Sequence, residues 1–144
     1  MRADAAIAAC PDYEPETCRA ALQQVLAPFG GLAWVKPGMR IAVKANLVSA
    51  MKPERAATTP PMLLRVLTEA LVRRGASVVV GDSPGGTYAA GHLNAVYRAC
   101  GLAAVEEAGG TLNRNFAQRE ADLPDARVAK HITYTAYLDD ADAV

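Results

Sequence analysis

Ser77-Val78-Val79-Val80-Gly81-Asp82-Ser83-Pro84-Gly85-Gly86 decides the fold. Three consecutive valines make a continuous apolar run, the pattern of a strand covered on both faces. A polar, glycine-rich turn follows at once. Upstream, Leu63, Val66, Leu67, Ala70 and Leu71 recur at helical spacing, with Arg73 and Arg74 in the last turn and Gly75 placed to end it. Thr59 is the expected N-cap of that helix and Pro60 its first residue. Before it, Arg40-Ile41-Ala42-Val43-Lys44 reads as another strand, preceded by the turn Lys36-Pro37-Gly38. Downstream, Leu93, Val96, Tyr97 and Cys100 mark a helix ended by Gly101, and a short helix over 102–108 leads to Gly109-Gly110. At the other end, Ala5–Cys10 reads as a first strand. A helix follows it, with Pro15 in its first turn and Cys18, Leu22, Val25 and Leu26 on one stripe.

Strand alternating with helix three times predicts an α/β fold: a three-layer, mostly parallel, doubly wound sheet with helices on both faces. The C-terminal strands are expected to be less regular. Residues 127–138 hold extended residues for one or two strands, and Ala141–Val144 reads as the start of another. Length and pattern predict a single domain over 1–144.

In such sheets the loops after the strands share one edge, and ligands bind there. That edge would gather Asp12 and Tyr13, then Lys44 and Asn46, then Asp82 and Ser83. A lysine at a strand end can set its ammonium against a phosphate or carboxylate, and Asn46 adds a donor and an acceptor. Gly85 and Gly86 let backbone N–H groups approach an anion, with a helix N-terminus behind them. Thr58 and Thr59 lie at the next helix start and complete the candidate ligand-binding set. The stretch is neither a dinucleotide fingerprint nor a Walker A loop. The loop over 49–57, with Lys52 and Arg55, is long enough to be a lid, although a solvated loop is the commoner outcome. His92 and His131 read as ordinary partly exposed histidines, and Asp139, Asp140 and Asp142 as a solvated turn rather than a cation site. No spacing suggests a nucleophile, so catalytic residues are left unassigned.

Composition limits the partners. Fifteen basic and fifteen acidic residues cancel, which argues against nucleic acid or an anionic membrane held by bulk charge. No apolar run approaches the roughly 20 residues of a membrane helix. Asp4 stands where a signal peptide would begin its apolar stretch, so a cytoplasmic protein is expected. Cys10, Cys18 and Cys100 make an odd, widely spaced set without Cys-x-x-Cys. They are read as free, mostly buried thiols, with no metal or cofactor expected within this chain.

VKANLVSAMKPERAATTPP (43–61), VVVGDSPGG (78–86), LNRNF (112–116) and VAKHITYTAYLDDADAV (128–144) together resemble the N-terminal part of the bacterial and archaeal domain-of-unknown-function family three hundred sixty-two. The resemblance implies an iron–sulfur-associated protein of unknown activity, often joined to a ferredoxin-like module with 4Fe–4S clusters outside this chain. It also implies basic motifs beyond Val144, making this the N-terminal portion of a longer protein, with self-association through the surface so exposed. One departure is internal: the family's Thr-Thr-His-Pro is here Thr58-Thr59-Pro60-Pro61, so any role of that histidine is missing.

The expected function is a domain that binds an anionic small molecule at the C-terminal edge of the sheet. Whether it is an enzyme is left open. The alternatives are a non-catalytic interaction or cluster-assembly module, and a stand-alone phosphate- or nucleotide-handling enzyme.

Overall fold

The computed structural model describes residues 5–83 and 86–144. Its centre is a parallel sheet of β1 (Arg40–Lys44), β2 (Ser77–Gly81) and β3 (Thr111–Leu112), in that spatial order. Ile41 lies opposite Val78, Lys44 opposite Gly81, and Val80 opposite Leu112. Parallel neighbours need a crossover, and helices supply it. Between β1 and β2 runs α2 (Pro61–Val72); between β2 and β3 run α3 (Ala90–Ala99) and α4 (Ala103–Glu107). The N-terminal helix α1 (Pro15–Leu26) packs on α2. Near the C-terminus, β4 (Gln118–Asp122) and β5 (His131–Thr135) form a separate antiparallel pair, and a 3₁₀ turn over Ala136–Leu138 follows. The chain is thus α/β, with a parallel sheet flanked by helices.

One core holds the sheet and helices together. Ile41, Val78, Val80 and Leu112 from the strands meet Leu64 and Leu71 of α2, Leu93 and Val96 of α3, and Val105 of α4. Burying each such side chain stabilises the fold by about 1.5–3 kcal/mol. Gly110 shows how closely α2 packs on the α4–β3 connection: a Cβ there would sit 2.6 Å from Thr68 Cγ2.

Several boundaries depart from the sequence reading. The first strand is not formed. Residues 5–10 take no regular structure and Ile7 is 98% exposed, because no neighbouring strand offers a ladder to the apolar segment. The crossover helix α2 starts one residue late. Pro60 is its N-cap and Pro61 its first residue, while the Thr59 hydroxyl bonds Asn46 instead of capping. β3 and β4 carry no periodic signal in the sequence. The expected last strand does begin: Ile41 bridges Ala143 in parallel, Ala42 N–H donates to the Ala143 carbonyl (2.9 Å), and Asp142 N–H to the Arg40 carbonyl (2.8 Å). Among the described residues no helix is long and apolar enough to cross a membrane.

Candidate functional site

The carboxyl ends of β1 and β2 open into a cleft of about 430 Å³. Its floor is Lys44, Asp82, Ser83 and Gly86; its far wall comes from Tyr88, Gln118 and residues 133–135, 137 and 138. Parallel register places Lys44 opposite Gly81, and Asp82 is the next residue along.

Asp82 organises this corner. It is 4% exposed. One carboxylate oxygen accepts the buried Leu47 N–H at 2.8 Å, which fixes the turn after β1. The other lies 3.4 Å from Lys44 Nζ, whose side chain is 55% exposed. A buried charge needs such partners. The ammonium is thereby held at the cleft mouth with donors to spare.

Tyrosines line the opposite wall. Asn113, itself buried, donates from Nδ2 to the Tyr88 hydroxyl (3.0 Å), and Thr135 bonds the same phenol. Asp139 bonds the Tyr134 phenol and raises its pKa. Tyr137 differs: it is 6% exposed, lines the cleft, and its phenol has no hydrogen-bond partner among the described residues. Burial pushes this phenol up to about 12, helped by the neighbouring Tyr88 and Asp82. Tyr137 is therefore a neutral O–H donor throughout the physiological range. Gly81 makes room for it, since a Cβ at 81 would lie 3.0 Å from Tyr137 Cζ and 2.8 Å from Asn113 Cβ.

The residues that sequence points to divide into groups. Lys44, Asp82, Ser83 and Gly86 meet in the cleft; Gly85 lies outside the described residues. Asn46 and Thr59 instead hold each other: Asn46 N–H donates to Thr59 Oγ1 (3.0 Å) and Thr59 N–H to the Asn46 carbonyl (2.8 Å). The buried Thr58 and exposed Tyr13 line a different hollow of about 310 Å³, with Pro60 and Met62. Asp12 accepts from Glu14 N–H. Lys52 and Arg55, exposed at a 3₁₀ turn over Pro53–Arg55, do not line the cleft. His131 pairs across the hairpin with Asp122 at 2.9 Å. His92 Nε2 lies 3.1 Å from where a Gly86 Cβ would be. Asp139 pairs with Arg119, Asp140 with Arg40, and Asp142 accepts the Arg40 N–H. Tyr88, Gln118, Thr133 and Tyr137 join the cleft without a spacing signal of their own. The one hint is the family-like run over 128–144, which holds Thr133 and Tyr137.

The cysteines do not suit a 4Fe–4S cluster, which takes four thiolates. The chain has three. Cys10 and Cys18 lie together at the start of α1, whereas Cys100 is buried after α3, against the Ser49 carbonyl. No cluster is therefore assigned to these residues.

A thylakoid-associated protein of a Synechocystis species is 34% identical over 73 residues, which is 50% of this chain and 23% of that protein. The match thus spans under a quarter of the relative's length. No solved structure matches the chain. The family described as "Domain of unknown function (DUF362)" matches residues 41–144, from β1 through the cleft and the hairpin to the last residue, and the chain belongs to that family.

Proposed function

We propose that the cleft binds an anionic small molecule, with Lys44 taking the charged group and the Tyr137 hydroxyl a second oxygen. The observation that carries this reading is Tyr137: its ring is buried, it lines the cleft, and its hydroxyl has no hydrogen-bond partner among the described residues, so that O–H is left to meet whatever occupies the cleft. Position supports it, because open parallel sheets bind ligands outside the carboxyl ends of their strands. Chemistry supports it as well. Asp82 is already committed to Leu47 and Lys44, and Tyr88 and Tyr134 to their own neighbours. The Lys44 ammonium keeps donors beyond its contact with Asp82, and the Tyr137 O–H is neutral and faces the cleft, beside the side chains of Ser83, Gln118 and Thr133. Both favour an oxygen acceptor, and the ammonium favours a charged one.

Calorimetric titration with inorganic phosphate, acetate and adenosine monophosphate tests the reading, with Lys44→Met and Tyr137→Phe alongside. At least one probe should bind saturably. Lys44→Met should weaken that binding about tenfold or more, and Tyr137→Phe several-fold, as expected for a lost charged and a lost neutral hydrogen bond. Saturable binding untouched by both substitutions, or no binding by any probe, would refute the assignment.

A further inference from the structure

We propose that Cys10 and Cys18 form an oxidisable dithiol pair that closes to an intramolecular disulfide on reaction with a low-molecular-weight disulfide such as oxidised glutathione. Their Sγ atoms are 4.0 Å apart. A disulfide requires about 2.05 Å, so the sulfurs need to approach by about 2 Å, within reach of a side-chain rotation. The local architecture favours that approach. Cys18 is fixed: it is wholly buried in the first turns of α1. Cys10 belongs to the segment over 5–10, which has no ladder or helix to hold it, and is only part-buried. One thiol is anchored in a helix, and the other sits outside any helix or ladder, its S–H donating to the Asp12 carbonyl at 3.1 Å. Cys100 is elsewhere, bonded to Ser49.

Accessibility sets the order of events. Cys10 is the thiol that meets solvent, so its thiolate attacks one sulfur of the oxidant. A mixed disulfide forms and one thiolate leaves. Cys18 then gives up its proton to water and displaces the second thiolate from Cys10 Sγ. Two protein S–H bonds are replaced by one S–S bond, and the oxidant departs as two thiols. In the reduced pair, burial, followed by the hydrogen bond with Cys10, pushes the Cys18 thiol up to about 11, and burial, the larger cause, persists once Cys10 carries the adduct. The second step is therefore slow near neutrality and quickens as pH rises. The product ties the N-terminal segment to α1. The loop it closes, residues 10–18, carries Tyr13, a wall of the hollow beside Thr58 and Pro60, so oxidation fixes that wall in place.

Thiol trapping decides the matter. The native, reduced chain is incubated with oxidised glutathione at pH 8, quenched in acid, alkylated in denaturant and digested with trypsin, which leaves Cys10 and Cys18 on one peptide, residues 3–19. The expected result is loss of two of the three alkylatable thiols, with that peptide unalkylated and lighter by two hydrogens. Cys10→Ser should leave Cys18 free. A peptide alkylated at both cysteines would overturn the proposal. So would a lasting glutathione adduct on Cys10 beside a free Cys18, or a link through Cys100.

Discussion

Truncating Asp82 should cost far more stability than removing its cationic partner. The reason is the asymmetry of the two contacts. Lys44 is 55% exposed and sits 3.4 Å from the carboxylate, so solvent screens the pair and its worth is about 0–1 kcal/mol. Leu47 N–H is buried and donates to the other carboxylate oxygen at 2.8 Å. A hydrogen bond to a charged group contributes about 1.5–3 kcal/mol, and an orphaned buried donor costs about 1–3 kcal/mol. Asp82→Ala removes the bond and strands the donor, so a loss of about 2–4 kcal/mol is expected. Asp82→Asn keeps an acceptor for Leu47 but makes that bond a neutral one and loses the ion pair, so about 1–2 kcal/mol is expected. Lys44→Met should cost less than about 1 kcal/mol. Urea denaturation followed by circular dichroism, with unfolding slopes checked for constancy, gives all three values. If Lys44→Met proves as costly as Asp82→Ala, the ion pair holds this corner and the backbone bond does not. If Asp82→Asn matches Asp82→Ala, the charge itself is what Leu47 requires, and the predicted order of losses fails.

Two further outcomes follow from contacts elsewhere. Gly81→Ala puts a methyl 2.8 Å from Asn113 Cβ and 3.0 Å from the Tyr137 ring; overpacking of this kind costs about 1–3 kcal/mol, and pairing it with Tyr137→Ala in a double-mutant cycle should recover part of the loss. Additivity of the two losses would show that the ring and the strand do not compete for space. Glu69 accepts from Arg19 (3.0 Å) and Arg65 (3.1 Å), and those bonds, Arg19 first, hold its pKa below the ordinary glutamate value. A depressed folded pKa contributes stability that is present above the unfolded value, about 4.3, and is lost as pH falls through the folded one. The Tm gap between the parent and Glu69→Gln should therefore narrow below about pH 4.3, and a gap that stays constant at strongly acidic pH would contradict the assignment.

The elements legible in sequence are those with a buried face. Val78–Val80 announces itself because both its faces must leave water, and the α2 and α3 stripes because one side of each helix must. β4 cannot be read that way. Gln118-Arg119-Glu120-Ala121-Asp122 is almost wholly exposed, so nothing in it alternates, and its ladder to β5 is what makes it a strand. Ala5–Cys10 fails in the opposite sense, apolar enough for a strand but with no neighbour to pair. At the cleft, topology alone brings Lys44, Asp82, Ser83 and Gly86 together, since each ends or follows a strand. Asn46 and Thr59 look like ligand groups because they are polar and follow β1; their mutual bonds span 13 residues and are invisible to spacing. Tyr137 is beyond the reach of sequence because its importance lies in a buried ring whose hydroxyl lines the cleft, and only the folded chain decides that.

The route between β3 and Ala143 explains why the cleft has a tyrosine wall. β1, β2 and β3 advance in one direction, yet Ala143 bridges β1 on its other side. The order therefore reverses at β1, which is where doubly wound sheets place their ligands. The chain must cross from the β3 edge to beyond β1, and residues 113–142 do so with the β4–β5 hairpin and a 3₁₀ turn in place of a helix. That crossing passes over the end of β2 and lays Tyr137 on Gly81, the residue before Asp82. The same connection that extends the sheet past β1 thus delivers the phenol to the carboxylate and lysine. A polypeptide with the same strands but a helical crossover would keep Lys44 and Asp82 at the edge and lose the opposing wall. The hairpin and the 3₁₀ turn after it, more than the glycine-rich turn, are then what build the cleft's second polar wall.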